Sequence, residues 1–187
     1  VVAIGADWND GNGIDSGHVR IYKNVNNTWT QVGSDIDGEA AGDRSGWTVS
    51  LSEDGSIVAI GATNNSANGN NSGHVRIYKN VNNTWTQVGS DKDGEAAADL
   101  SGTSLSLSAD GSVVAIGAYG NDGNGFNSGH VRIYQNNNGT WTKIGSDIDG
   151  EAANDYSGYS VSLSSDGSVV AIGADNNQGE NGRYSGH

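Results

Sequence analysis

The chain is built from a 56-residue unit that occurs three times and then begins again. His18, His74 and His130 lie 56 residues apart, and the twenty residues 16–35 return unchanged as residues 72–91. In a repeat protein each unit is one supersecondary structure that cannot bury its apolar face alone. The fold must therefore stack copies of this unit against one another.

Each unit contains four strand-like runs divided by turn residues. Residues 47–51 alternate between apolar and polar, whereas residues 57–60 are apolar throughout, which predicts a strand buried on both faces. The Asp54-Gly55 pair between them is typical of a tight hairpin. Two further runs, residues 74–78 and 84–88, are joined by an Asn-rich turn. The unit therefore predicts four antiparallel strands.

The predicted fold is all-β, because no segment shows the apolar spacing of a helix. Four strands in 56 residues fit one blade of a β-propeller. We expect complete blades at 46–101 and 102–157, with partial blades at 1–45 and 158–187. Since propellers have about four to eight blades, the chain would be a piece of a longer protein and form an incomplete ring. A β-solenoid or an open repeat array is the alternative.

The composition excludes several functions. The chain has 22 Asp and Glu against 9 Lys and Arg, a net charge of −13, and it has no Cys, Pro or Met. The negative charge argues against nucleic acid and anionic membranes as partners, and it is compatible with cation binding. We also expect no membrane insertion, since no run of 18 apolar residues occurs. No nucleophile elbow, phosphate-binding loop or His-Glu-x-x-His motif is present, so no enzyme is predicted.

Residues 42–62, and again 98–118 and 154–174, resemble the FG-GAP repeat. This repeat builds the N-terminal propeller of integrin α chains and occurs in large bacterial and algal surface proteins, usually as seven blades. The resemblance implies an extracellular or cell-surface propeller with an adhesive role. Two features depart from the family: its Phe-Gly is Ser45-Gly46 here, and its calcium loop between the first two strands is shortened to residues 52–56. No calcium site is therefore carried over to that hairpin.

An acidic segment recurs in each unit and is the candidate Ca²⁺ site. It holds 12 of the 22 acidic residues: Asp35, Asp37, Glu39 and Asp43, then Asp91, Asp93, Glu95 and Asp99, then Asp147, Asp149, Glu151 and Asp155. Ca²⁺ prefers six to eight oxygen ligands, and alternating Asp residues around a Gly supply several of them. The alternative is that these residues form turns and cap backbone N–H groups.

The other repeated polar and aromatic residues have two readings each. We expect one structural hydrogen-bonding His per blade, because none has a second ligand at short spacing; these are His18, His74, His130 and His187. The Trp residues either pack between blades or form a surface that stacks on sugars; these are Trp29, Trp85 and Trp141. Acceptor sequons for N-glycosylation occur at Asn26, Asn82, Asn138, Asn64 and Asn70.

The sequence as a whole predicts a non-catalytic extracellular propeller segment for adhesion or scaffolding. Its partners would be neighbouring blades of the same chain or of other copies, together with an extracellular protein or glycan ligand. The loop at residues 7–15 and its counterparts vary between copies, which is typical of surface loops that carry binding contacts. The alternatives are a repeat that assembles into a fibre or sheath, and a lectin-like module.

Overall fold

The structure, a computed structural model, describes residues 1–177 and 186–187. These residues form sixteen strands in four antiparallel sheets. Within these ranges no helix is long and apolar enough to cross a membrane. The all-β fold predicted from the repeat is confirmed.

Each sheet is one blade, and the blades follow one another along the chain. The first blade contains β1 (Val2–Ala6), β2 (His18–Val25), β3 (Thr28–Gln31) and β4 (Ile36–Asp37). The second contains β5 (Ser45–Leu51), β6 (Ile57–Ala62), β7 (His74–Val81), β8 (Thr84–Gln87) and β9 (Lys92–Asp93). The third contains β10 (Ser104–Leu107), β11 (Val113–Ala118), β12 (His130–Asn137), β13 (Thr140–Lys143) and β14 (Ile148–Asp149). The fourth contains β15 (Ser157–Leu163) and β16 (Val170–Ala174).

The strand order within a blade is a simple meander. In the second blade the order is β5-β6-β7-β8, and every neighbouring pair is antiparallel. This arrangement is a propeller blade and differs from a solenoid, in which strands of successive coils stack. The propeller-like interpretation of the repeat is therefore confirmed.

The start of the acidic segment is a strand, which the sequence did not predict. Lys92 and Asp93 form β9 and pair with Val75 and His74 at the beginning of β7. The outer edge of β7 is thus shared by β8 and β9, with Gly89 at a positive φ of 74° between them. The Asp-x-Asp pattern had indicated a turn, but its backbone continues the sheet.

The blades stack face to face through apolar side chains of both blades. Val58 and Ile60 point from β6 towards the first blade, where they pack on Val19 and Ile21. Ala59, between them in sequence, points to the opposite face and joins the core shared with the third blade. The unbroken apolar run of the second strand follows from this, because both of its faces are buried between blades.

Glycine sets the distance between consecutive blades at one point. A Cβ atom on Gly61 would lie within 3.0 Å of the carbonyl oxygen of Gly102 in the next blade. The same close approach joins Gly5 to Gly46 and Gly117 to Gly158. The Gly of the Ile-Gly-Ala run and the Gly of the Ser-Gly pair are therefore contact partners across each interface.

The same hydrogen bonds recur between the second and third blades and between the third and fourth. The Thr48 hydroxyl donates to the Gly102 carbonyl at 2.6 Å, and Ser104 donates to Gly158 at 2.7 Å. In the Asp-Gly hairpins of the second and third blades, the Glu53 N–H donates to the Ala109 carbonyl at 2.8 Å. Recurrent contacts of this kind specify one spacing and one rotation between blades.

Candidate functional site

The repeated polar residues lie at one edge of the blades, which we call the loop edge. Because the strands are antiparallel, the loop after the second strand and the connection to the next blade lie at one edge. Residues 63–71 and the turn at 39–43 therefore become neighbours, and they line a groove of ≈ 510 Å³. The Asp-Gly hairpins and the Asn-rich turns lie at the opposite edge.

Each predicted acidic segment is divided among different environments. The last carboxylate is buried and holds the turn together. Asp43 accepts hydrogen bonds from the Ala40 N–H at 3.0 Å and from the Asn65 side chain at 3.1 Å. Asp99 and Asp155 make the equivalent bonds in the next two units. These three carboxylates stabilise turns of their own segments.

The first carboxylate of each segment accepts a hydrogen bond from the last residue of the strand before it, which is β3, β8 or β13. In the first blade Asp35 accepts hydrogen bonds from Arg20 at 2.8 Å and from Gln31 at 2.6 Å. These bonds, led by that of Arg20, lower the pKa of Asp35. In the second blade Gln87 likewise donates to Asp91 at 2.5 Å, but the arginine Arg76 does not pair with it.

Arg76 instead crosses to the preceding blade. Its Nη2 donates to the Asp37 carbonyl at 2.7 Å, and its Nη1 lies 3.5 Å from Oε1 of Glu39. Arg132 makes the same pair of contacts to Asp93 and Glu95. The interfaces between blades therefore place Glu39 against the second blade and Glu95 against the third.

This crossing produces two clusters of His with carboxylates. In the first interblade cluster (Glu39, His74, Asp91) one potential ligand atom from each residue lies within 4.8 Å of the others. The second interblade cluster (Glu95, His130, Asp147) has the same property. Each cluster takes its His and Asp from one blade and its Glu from the preceding connection.

Burial favours the neutral form of the imidazoles in both clusters. His74 is 1% exposed, and burial followed by the nearby Arg76 charge lowers its pKa. Burial and Arg132 lower the pKa of His130 in the same way. Burial raises the pKa of Asp147, but the hydrogen bond from Lys143 and the nearby positive charges together outweigh it and lower this pKa.

The ends of the chain carry half-clusters. His18 lies 3.6 Å from Asp35 but faces no preceding blade within the chain. At the other end, His187 and Glu151 line one cavity of ≈ 200 Å³. These half-clusters show that the complete arrangement requires two consecutive blades.

The sequence indicated no partner beside any His, because the Asp partner is distant along the chain and the Glu partner comes from the preceding connection. Glu39 and His74 are 35 residues apart, and only the stacking of blades joins them. The repeat itself contained a signal. One Glu precedes His74 and another precedes His130 by the same number of residues, and an Asp follows each His by the same number.

The shortened hairpins use their carboxylates for local hydrogen bonds. Asp166 accepts from the Ser164 hydroxyl at 2.6 Å and from the Ser168 N–H at 3.0 Å, and these bonds lower its pKa to about 2. Asp54 and Asp110 are held in the same way. The carboxylate thus stabilises the turn in which it lies.

Two of the three repeated Trp residues lie between blades. Trp141 is 5% exposed and its Nε1 donates to the Val88 carbonyl at 3.0 Å, and Trp85 donates to Val32 at 2.8 Å. Trp29 is 54% exposed because its side of the first blade is uncovered. The stacking of blades therefore decides which indole faces solvent.

The glycosylation candidates occupy both edges. Asn26, Asn82 and Asn138 lie in exposed turns at the hairpin edge, each with a positive φ between 51° and 53°. Asn64 and Asn70 belong to the loop at residues 63–71, where Asn64 is half-buried and Asn70 is exposed.

Comparison with known proteins identifies the repeat. Residues 34–78 match the family model of the FG-GAP repeat. No curated protein matches the chain, whereas 43 chains of solved structures do. One is a candidate 6-phosphogluconolactonase from Bacteroides uniformis, which is 14% identical with a TM-score of 0.55. The match covers 87% of this chain and 42% of that protein, and it shows the fold alone. The chain therefore contains an FG-GAP repeat, at residues 34–78, within an all-β, propeller-like fold.

Proposed function

We propose that the chain is a non-catalytic segment of an extracellular propeller that serves adhesion or scaffolding through protein or glycan contacts. The observation that carries this proposal is the loop edge, where a constant framework presents variable loops. FG-GAP repeats are typical of extracellular and surface proteins, which supports the location. The polar groups also recur from blade to blade, whereas a catalytic site is normally a single constellation.

The variable loops expose apolar side chains at their tips. Ile14 is 73% exposed and Phe126, at the same position two units later, is 67% exposed. The intervening unit has Asn70 at that position. Beside Ile14, whose carbonyl accepts the Gly42 N–H, the groove between residues 39–43 and 63–71 is lined by amide and carboxylate groups. Apolar contact area with adjacent hydrogen-bonding groups suits a protein or glycan ligand.

A binding experiment tests this proposal. On an array of immobilised glycans and extracellular-matrix proteins, we expect a defined set of hits that F126S or I14S weakens by tenfold or more. The control E53A alters the hairpin edge and should leave the hits unchanged. Calcium is part of the proposal, as a stabilising ion at exposed carboxylates of the acidic segments, so EDTA should reduce both binding and the melting temperature and added Ca²⁺ should restore them. An array without hits would contradict the proposed function.

The uncovered side of the first blade favours self-assembly as a second candidate function. Val2, Ile4, Tyr22 and Trp29 line an apolar depression of ≈ 280 Å³ on this side. Their counterparts in later units are the residues that pack between blades, such as Ile60 and Trp85. This side is therefore built to receive another blade, either from the parent protein or from a second copy.

Sedimentation velocity tests whether copies of this chain assemble. We expect the average mass to rise with protein concentration, because burying this apolar side removes it from water. I4K should suppress the association by placing a charge in the contact, whereas I14K, on an exposed loop, should not. A monodisperse monomer at all concentrations would exclude self-assembly.

A further inference from the structure

The buried His74 imidazole faces three carboxylates at distances that are too long for hydrogen bonds. Its Nδ1 lies 3.8 Å from Oε2 of Glu39, 3.8 Å from Oδ2 of Asp91 and 4.0 Å from Oδ1 of Asp93. Hydrogen bonds from nitrogen to oxygen span about 2.7–3.2 Å. The potential ligand atoms of Glu39, His74 and Asp91 lie within 4.8 Å of one another, but these groups do not hydrogen-bond to one another.

Two of the facing atoms are buried without a partner. Nδ1 of His74 and Oδ1 of Asp93 have no hydrogen-bond partner among the residues that the structure describes. Buried polar atoms in native proteins almost always have one, and leaving a buried group unsatisfied costs about 1–3 kcal/mol. The arrangement therefore points to a ligand that contacts the imidazole and the carboxylates together.

The donor set indicates which ligand fits. One imidazole nitrogen with carboxylate oxygens suits Zn²⁺, which binds such atoms at about 2.0–2.2 Å. Tetrahedral geometry at that radius separates the ligand atoms by about 3.4 Å, close to the 3.8 Å that separates Nδ1 from each carboxylate. Ca²⁺ requires six to eight oxygen atoms and does not favour imidazole.

The charges around His74 also favour a cation. Glu39, Asp91 and Asp93 are three carboxylates, and Arg76 places its Nη1 3.5 Å from Glu39. Lys92 is the second cation nearby: its ammonium lies 5.6 Å from the Tyr134 ring and is attracted to Asp91 and Asp93. The carboxylates still outnumber these two cations.

We propose that the first interblade cluster binds a first-row divalent metal ion of the Zn²⁺ type through His74, Glu39 and Asp91. The ion joins Glu39, in the connection between the first two blades, to His74 on β7 and to Asp91 beside β9 of the second blade. It acts as a cross-link between consecutive blades. This site uses a nitrogen ligand, which distinguishes it in chemistry from the all-oxygen calcium site proposed for the acidic segments, although Glu39 and Asp91 belong to those segments.

The second interblade cluster provides an internal comparison. Lys143 replaces Gln87 at the same repeat position, and its Nζ lies 2.6 Å from Oδ1 of Asp147. This ammonium occupies a carboxylate that the metal needs and reduces the negative charge of the cluster. The third blade should therefore bind the ion much more weakly than the second.

Calorimetric titration of the EDTA-treated, dialysed chain with Zn²⁺ tests the proposal, with Co²⁺ absorption reporting a nitrogen ligand. We expect one tight equivalent. E39Q and D91N, which alter half-exposed side chains and leave the core intact, should each weaken binding by tenfold or more, and H74Q should abolish it. E53Q, far from the cluster, is the control and should bind like the parent chain.

The second cluster supplies a gain-of-binding test. K143Q recreates the residues of the second blade in the third and should add a second tight equivalent. The proposal is overturned if Zn²⁺ does not bind, if E39Q and D91N bind as the parent does, or if Ca²⁺ binds equally well at these residues. Those results would leave the proposed adhesive function untouched, since the array experiment tests it separately.

Discussion

G61A is expected to destabilise the chain by about 3 kcal/mol, as measured by the free energy of unfolding in urea. A Cβ atom at this position would lie within 3.0 Å of both the Gly102 carbonyl oxygen and the Thr48 hydroxyl. The carbonyl belongs to the backbone of the next blade, so it cannot rotate away, and the two blades would have to separate. Overpacking of a buried interface typically costs about 1–3 kcal/mol.

G42A is the control for G61A. Gly42 has a φ of 85° and no atom within 4 Å of the position of a Cβ, so alanine there meets backbone strain but no clash. That strain should cost about 1–2 kcal/mol. Since Gly61 has no positive φ, its penalty would come from the close approach of blades alone. A loss below 1 kcal/mol for G61A would contradict this explanation.

I60A is expected to lower the free energy of unfolding by about 2–5 kcal/mol, whereas I4A should lower it by less than about 1 kcal/mol. The two Ile residues occupy the same position of the repeat. Ile60 is 1% exposed because the first blade covers it, and Ile4 is 52% exposed because no blade precedes it within the chain. Urea denaturation at low protein concentration measures both variants.

The comparison of I60A with I4A separates local sequence from stacking. If the strand itself determined the contribution of the Ile side chain, the two variants would lose equal stability. If blade stacking determines it, only I60A is costly. A loss for I4A that grows with protein concentration would show that a second copy covers the first blade, in agreement with the self-assembly candidate.

Much of the fold could be predicted because each unit carries its own local signals. The alternating run at residues 47–51, the Asp54-Gly55 hairpin and the apolar run at residues 57–60 each correspond to the observed strands and turn. The short strand β9 could not be predicted. Its Asp residues favour turns in general, and only pairing with β7 overrides that preference.

The candidate site was less predictable than the fold. The acidic segments were identified as a group, but the sequence could not separate Asp43, which is buried in its turn, from Glu39, which crosses to the next blade. The isolated His residues seemed to lack companions because the sequence shows only neighbours along the chain.

The sequence by itself determined the repeat, the strands and the all-β class, because these depend on residue periodicity and turn preferences within one unit. The tertiary structure decided which faces are buried, why Gly61 must be glycine, and which carboxylates meet His74. All three depend on atoms contributed by two consecutive blades. Contacts of that kind arise only when units stack. Because the same residues recur in each unit, the sequence does not reveal which copy supplies each partner.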